Sequence, residues 1–257
     1  TKSSYSIRVK VTDAGGLSYE KAFTINVLPS YLPANGLVGW WPFNGNANDE
    51  SGNANDGLLN GPVLTTDRND LPDKAFNFDG VNDNILVDNS DSFAVETWSI
   101  SAFFQTSFAG YNRITTKESQ PTPGVNTMSI IIFNGQVFIS TSANGRLNDP
   151  IPISSDQFNY ADGRWHHVVA IRDSGHYLLY LDDNLMADVP DSFGPLSNSA
   201  PLYIGSPNPY PSQYFNGKLD DIAIWNRALS SKEISALYQA GNTTPSSLTL
   251  SKSTITE

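Results

Sequence analysis

The sequence predicts an all-β protein, an antiparallel sandwich with one short helix near its carboxyl end. Three observations predict it. From residue 37 onward short apolar segments recur, among them "NILV", "WSISAFF", "MSIIIF", "HHVVAIR", "HYLLYL" and "DIAIW", each bounded by Gly, Pro, Asn or Asp; strands joined by turns give this pattern. Two of the turns carry hairpin chemistry: "FNGQ", Phe133 to Gln136, and "LDDNLM", Leu181 to Met186, with Asp183-Asn184 expected at its tip. No long helical period interrupts the series, as an α/β fold would require.

Taken in order, "YSIRVKVTDAGGLSYEKAFTINVL" comes first. Ile7, Val9 and Val11 alternate with polar residues, as do Phe23, Ile25 and Val27, and "DAGG" separates the two runs. This reads as a hairpin with a turn at Asp13 to Gly16. Two strands alone are marginal in water, so the hairpin needs further strands. Residues 30–36 read as a linker and 37–242 as the sandwich. Within it Ser230 and Glu233 form a capping box, Ile234, Leu237 and Tyr238 make one apolar stripe, and Gly241 is a stop. That helix is expected to cover one end of the sandwich. Residues 243–257 read as a second linker and the first strand of another domain. The chain opens inside a strand pattern without a leader, and is expected to be a piece of a longer polypeptide.

Composition narrows the function classes. Against 26 Asp and Glu stand 15 Lys and Arg, a formal charge of −11, which argues against nucleic acid and anionic membrane as partners. Cysteine is absent, so disulfides and thiolate metal sites are excluded. No apolar run approaches the ~20 residues that span a bilayer. Oxygen-rich Asp and Asn loops suit Ca²⁺ and suit plain solubility equally.

From Leu37 to Ala240 the chain resembles the laminin-G-like, concanavalin-A-like jelly-roll family. The resemblance rests on "GWWPFNGNANDESGNANDG", "AFNFDGVNDNILV", "WSISAFF", "RWHHVVAIRDSGHYLLYLDDNLMA" and "YFNGKLDDIAIWNRALSSKEISALY" in that order. It implies a two-sheet antiparallel jelly roll, a fold that hosts many functions. The flanks resemble cadherin-like repeats of bacterial surface proteins: "YSIRVKVTDAGGLSYEKAFTINV" looks like the last strands of one repeat, "LTLSKSTITE" like the first strand of the next. Together these imply a secreted or surface-bound adhesion protein. In related jelly rolls the first and last strands lie close together and supply a structural Ca²⁺ site. This carries over to Asp79 and Asp220, with Asn44 and Asn46 as further ligands. In cadherin-like repeats an Asp placed like Asp13 and a Glu placed like Glu257 bind Ca²⁺, although the usual acidic linker motif is missing at Val27 to Ser30. The alternative for Asp79 and Asp220 is hydrogen bonding to backbone amides in tight turns. The unpaired terminal strands could also join each other, within one chain or between two.

The adjacent acids Asp220 and Asp221 pose the central question, because catalytic, metal-binding and turn roles all suit such a pair. Glycoside cleavage needs two carboxyl groups ~5–9 Å apart across a substrate. Neighbours on a regular strand point to opposite faces, and Glu occurs only at 20, 50, 96, 118, 233 and 257, never in the clustered acid pattern of jelly-roll glucanases. The sequence therefore points away from an enzyme. His166 and His167 are expected to be one packed and one solvated residue. For sugar binding, an exposed ring must stack on a pyranose face beside polar groups. Tyr111, Arg146, Tyr210 and Tyr214, all in polar loops, are the candidates. The expected function is a non-catalytic, Ca²⁺-stabilised module binding a glycan or another cell-surface ligand. The alternatives are an architectural spacer or an accessory domain of a polysaccharide-degrading enzyme.

Overall fold

The computed structural model of the chain describes residues 4–26, 29–88, 90–118, 126–142, 150–152, 158–173, 175–191, 199–205 and 213–241. In chain order the strands are β1 (Ser4–Thr12), β2 (Ser18–Asn26), β3 (Leu37–Trp41), β4 (Leu58–Asn60), β5 (Val63–Thr65), β6 (Ala75–Asp79), β7 (Asn84–Val87), β8 (Trp98–Gln105) and β9 (Asn112–Glu118). They continue as β10 (Asn126–Phe133), β11 (Gln136–Ser142), β12 (Pro150–Pro152), β13 (Trp165–Asp173), β14 (His176–Leu181), β15 (Asn184–Pro190), β16 (Leu202–Ile204) and β17 (Asn216–Trp225), and helix α1 (Ser231–Gly241) follows. One sheet has the order β12-β11-β10-β9-β16-β7-β4, and the other the order β15-β14-β13-β8-β17-β6-β5. All pairings are antiparallel, so the sequence-based sandwich is the architecture found.

β17 is the spine of the second sheet. One edge pairs with β8. The other pairs with β6 over Asn216 to Leu219 and then with β3 over Ile222 to Trp225. The first and last strands of the sandwich are thus neighbours, as the jelly-roll resemblance implied.

Burial explains the sequence patterns. β8 is buried at every residue from Trp98 to Phe104 because both of its faces are covered. One face joins the inter-sheet core with Ile100, Ala102, Phe104, Val168, Ala170, Leu219, Ile222 and Ile224. A second apolar layer, Leu32, Trp40, Val169, Ile171, Ala223, Trp225, Leu229, Ile234 and Leu237, lies on the outer side. β14, nearer the edge, alternates between buried residues and exposed or half-buried ones.

Two expectations are corrected here. Helix α1 lies on the outer face of the β8–β13–β17 region rather than over an end, because Ile234 and Leu237 belong to that second layer. Its capping box forms as expected: Glu233 Oε2 accepts from the Ser230 N–H at 2.8 Å, and Ser230 Oγ from the Glu233 N–H at 3.4 Å. Gly241 closes the helix against Phe103, where a Cβ would stand 2.1 Å from the ring. Part of residues 30–36, expected as a linker, is packed on the same layer: Leu32 is buried, and the Trp225 indole N–H donates to Pro33 O at 2.7 Å.

Both hairpin turns form. Asn134 and Gly135 have φ of 50° and 74°, as a two-residue turn of this hand requires. The second turn is centred one residue earlier than expected, on Asp182 and Asp183 (φ 49° and 68°), with Leu181 opposite Asn184. β1 and β2 pair over their whole length as a separate two-stranded sheet. Val9, Val11, Leu17 and Tyr19 are exposed on it.

The layer under α1 gives the first prediction. Ile234→Ala or Leu237→Ala is expected to lower unfolding free energy by ~2–5 kcal/mol, while Lys232→Ala, on the exposed face, changes it by less than ~0.5 kcal/mol. Equilibrium urea unfolding measures both, and equal small effects at all three positions would contradict the docking.

Candidate ligand-binding site

Asp220 and Asp221 sit where β17 changes partner from β6 to β3. The register with β8 runs Asp220 opposite Phe103 and then Ala223 opposite Ser101, so β17 carries one extra residue. Asp221 takes it up with a φ of 45°, a β-bulge. The bulge turns both carboxylates to the outer face, overturning the expectation that neighbours on this strand must point apart.

There they meet Arg68, from the β5–β6 connection. Its Nη1 donates to Asp220 Oδ2 and its Nη2 to Asp221 Oδ2 at 2.6 Å, while Nε donates to Gly241 O at 2.7 Å. The guanidinium lies 4.0 Å above the Phe103 ring, and the Trp40 indole donates to Asp221 Oδ1 at 3.3 Å. Only 8% of the Arg68 side chain and 2% of the Asp220 side chain are exposed. Burial first, then the charge of Asp221, pushes the Asp220 carboxyl above its usual range against the pull of Arg68. Arg68 is raised, since the two carboxylates outweigh burial. The hard cation proposed for this corner is therefore met by a guanidinium, and the cluster ties β3, β17, the β5–β6 connection and the end of α1 together.

Asp79 is elsewhere. It stands opposite Asn216, four residues and about 13 Å along β17 from Asp220. Its Oδ1 accepts from the Val81 and Asn82 N–H groups at 2.8 and 3.3 Å, the turn role that was the alternative for it. The Val81 bond leads the interactions holding its pKa low. Asn44 and Asn46 are exposed, and Asn46 Oδ1 caps the Asn48 N–H at 2.8 Å. Asp13 Oδ1 closes the β1–β2 turn on the N–H groups of Gly15 and Leu17, both at 2.9 Å. Asp79 and Asp220 are therefore too far apart to share one calcium ion. Among the described residues no group of three or more His, Cys, Asp or Glu side chains is arranged to hold a metal ion. Arg146, Tyr210 and Glu257 lie outside the described residues.

The structure gathers polar loops and aromatic rings at one end of the sandwich, where β8 finishes and β13 and β17 begin. Trp165 and Lys218 both stand opposite Gln105 there. Asn112 is the fastener: its Nδ2 donates to Phe108 O at 2.7 Å, and its Oδ1 accepts from the Asn216 N–H at 2.8 Å. Thr106 Oγ1 donates to Asn216 O at 2.6 Å. The 158–164 loop is tied on by Gly163 N–H to Thr106 O at 2.9 Å, Gln105 Nε2 to Gly163 O at 2.9 Å and Tyr160 N–H to Gly135 O at 2.7 Å. Tyr111 stacks on Phe133 at 4.1 Å and 21°, beside the Asn134-Gly135 turn.

Three large apolar side chains remain exposed on these linked loops: Phe108 at 47%, Tyr111 at 39% and Phe158 at 66%. Tyr111 was legible from the sequence. Phe108 in "TSFAGYNR" and Phe158 in "DQFNYADG" were missed, although an aromatic residue in a polar loop is the same signal. Tyr214 is half-buried, two residues before Asn216. The sheet face at β9 is a poorer site: Arg113 and Lys117 are fully buried there, Arg113 Nε donating to Gln213 Oε1 at 2.7 Å and Lys117 Nζ to Ala200 O. Burial pulls the Lys117 pKa down to about 8.

The adjacent histidines face opposite ways, but neither is simply solvated. His167 is buried, stacked on Phe103 at 4.4 Å and bonded to Ser101 Oγ at 2.8 Å; burial lowers its pKa to about 3. His166 lies between two carboxylates, Asp182 at 2.8 Å and Asp162 at 3.1 Å.

With this geometry in hand, the family can be stated. A laminin-G-type profile described as the concanavalin A-like lectin/glucanases superfamily matches residues 79–235. The chain belongs to this superfamily. Its lectin-like sandwich also resembles solved structures. Trypanosoma rangeli sialidase shares 18% identity at a TM-score of 0.62, over 80% of this chain and 33% of that one. The botulinum neurotoxin serotype D binding domain shares 16% at 0.60, over 80% and 51%. The receptor-binding domain of the botulinum C/D mosaic neurotoxin shares 15% at 0.59, over 81% and 52%. The lectin-like chain thus spans about a third of the sialidase and half of the toxin domains, and these likenesses describe the fold. No curated protein sequence matches the chain. Among the described residues no helix is long and apolar enough to cross a membrane.

The Arg68 cluster gives the second prediction. Arg68→Met strands two carboxylates and is expected to cost ~3–5 kcal/mol. Because the folded state holds the Asp220 proton more tightly than the unfolded chain, stability falls as pH rises above the ordinary carboxylate pKa. The variant should therefore recover part of its loss as pH is lowered from 7 toward 5. Urea midpoints across that range test this; a deficit independent of pH would remove the electrostatic account.

Proposed function

We propose that this lectin-like domain is a non-catalytic recognition module that binds a glycan or another cell-surface ligand through the loop end bearing Phe108, Tyr111 and Phe158. The observation that carries the reading is the exposure of three aromatic side chains on loops fixed to one another and to rigid strand ends. Such rings offer flat apolar faces at small ordering cost, and the Asn and Asp side chains of the same loops supply hydrogen-bond partners. The superfamily supports it, as do fold neighbours that include Trypanosoma rangeli sialidase in complex with sialic acid and the receptor-binding domain of the botulinum C/D mosaic neurotoxin. Against a hydrolytic role stands the fate of the adjacent Asp220 and Asp221, which are neutralised by Arg68. Calcium has no part in the proposal, since among the described residues Asp79 and Asp220 do not converge.

The setting we infer is an extracellular adhesion-type protein of a bacterium, in which the β1–β2 hairpin is part of a flanking cadherin-like repeat. Its exposed Val9, Val11, Leu17 and Tyr19 favour pairing with further strands, and they also support the second reading, a spacer domain with no ligand of its own.

A glycan and glycoprotein array separates the two. The recognition reading expects a saturable ligand, with Tyr111→Ala, Phe108→Ala and Phe158→Ala each weakening it about tenfold or more. Melting temperatures should stay nearly unchanged for Phe158→Ala, whose side chain is the most exposed of the three, and fall slightly for Tyr111→Ala, which loses its stack on Phe133. No binding at high micromolar concentration to any glycan or glycoprotein would leave the spacer.

A further inference from the structure

His166 opens β13 next to the loop that carries Phe158 and Tyr160. Its Nδ1 is 2.8 Å from Asp182 Oδ2 and its Nε2 is 3.1 Å from Asp162 Oδ1. An ionised carboxylate only accepts, and a neutral imidazole has one N–H, so both contacts are hydrogen bonds only in the imidazolium. When the ring loses a proton, one nitrogen lone pair is left facing a carboxylate oxygen.

The two sides are not equally free to respond. Asp182 is fixed on the β14–β15 turn, where its Oδ1 accepts from the His167 N–H at 2.8 Å. Asp162 belongs to the 158–164 loop, and its Oδ1 also accepts from the Arg164 N–H at 2.8 Å. The remaining surroundings of the ring are Tyr160, edge-on at 5.1 Å, and Phe104 at 5.7 Å. The Arg164 guanidinium stands 3.8 Å from the far oxygen of Asp162 and is 84% exposed. Asp183, on the same turn, is engaged by Ser235 Oγ at 2.6 Å.

We propose that His166, bracketed as a cation by Asp162 and Asp182, is a pH-operated latch on the 158–164 loop and so regulates the ligand-binding end. The regulatory part rests on the reading of that end as the ligand site. The latch is closed while both carboxylates are ionised and the ring is protonated. It opens as the ring loses its proton, when the Asp162 contact is lost and the segment bearing Phe158 and Tyr160 loosens. Burial opposes the charge on His166, but Asp182 and then Asp162 outweigh it and raise the pKa. The sign follows: the latch contributes fully below the ordinary histidine pKa and is lost as pH rises through the elevated folded value.

The test follows the full chain by NMR from pH 6 to pH 10. Both His166 ring nitrogens are expected to be protonated at neutral pH. As the ring deprotonates, the amide protection factors of Ala161 and Gly163 should fall about tenfold, the loss of roughly one charge-assisted hydrogen bond. Asp162→Ala should show the low protection at every pH, while Phe158→Ala should keep the wild-type titration. A His166 that is neutral at pH 7, or protection that does not follow its titration, overturns the latch. The oligosaccharide selected on the array, titrated over the same range, should bind more weakly above the His166 pKa. Flat affinity beside a normal titration overturns the regulatory role alone. A normal titration with no array binding at any pH overturns the recognition reading and leaves the latch standing.

Discussion

The extra residue in β17 is the constraint from which much of the architecture follows. Leu219, Ile222 and Ile224 all face the inter-sheet core, yet Leu219 and Ile222 are an odd number of residues apart. A regular strand would send one of them outward and one of the two aspartates toward the core, where an unpaired carboxylate is very costly. The bulge at Asp221 restores the apolar parity and leaves both acids on the outer face. It also falls where β17 exchanges β6 for β3, so a single irregularity lets one strand serve two partners on one edge. Arg68 then makes the outward acids tolerable and, through Gly241 O, fixes the end of α1.

The layer under α1 has a functional consequence. Because the middles of β8, β13 and β17 are buried on both faces, the loops leaving them start from packed strands. Thr106, Asn112 and Asn216 convert this into position, each bonding backbone of another segment. Phe108 and Tyr111 are therefore exposed yet held, which is what a ring must be if it is to stack on a ligand without a large ordering cost.

Much of the fold was legible because apolar period and turn chemistry are local. The Asn134-Gly135 turn, the capping box at Ser230 and Glu233, and the strands from Trp98 to Trp225 follow from neighbours in sequence. The placement of α1 was not legible, since its stripe of Ile234 and Leu237 says that it docks and not on which surface. The bulge was invisible for a similar reason: "KLDDIAIW" fits a regular strand, and only packing against two different partners requires the extra residue. The candidate site was half-readable. Tyr111 could be named from an aromatic in a polar loop. The fasteners around it, Asn112 with Phe108 and Asn216, and the pairing of Arg68 with Asp220 across 152 positions, are long-range facts with no local trace. Asp79 and Asp220 do not meet because they share a strand pair but not a position along it.

An acidic chain with few cations has to place them economically, and three described cations show how. Arg68 holds Asp220 and Asp221. Arg172 holds Glu96 and Asp191, each at 2.7 Å. His166 holds Asp162 and Asp182. In each case one positive side chain joins two carboxylates, and the partners of Arg172 and His166 come from separate segments, so neutralising the acids also ties distant parts of the chain. The guanidinium groups stay charged at any ordinary pH, which suits joints that must never open. The imidazole can be discharged within the ordinary range, and it stands at the aromatic loop end, away from the spine of the second sheet. The arrangement puts permanent charge where the fold must hold and removable charge at the aromatic loop end proposed for recognition.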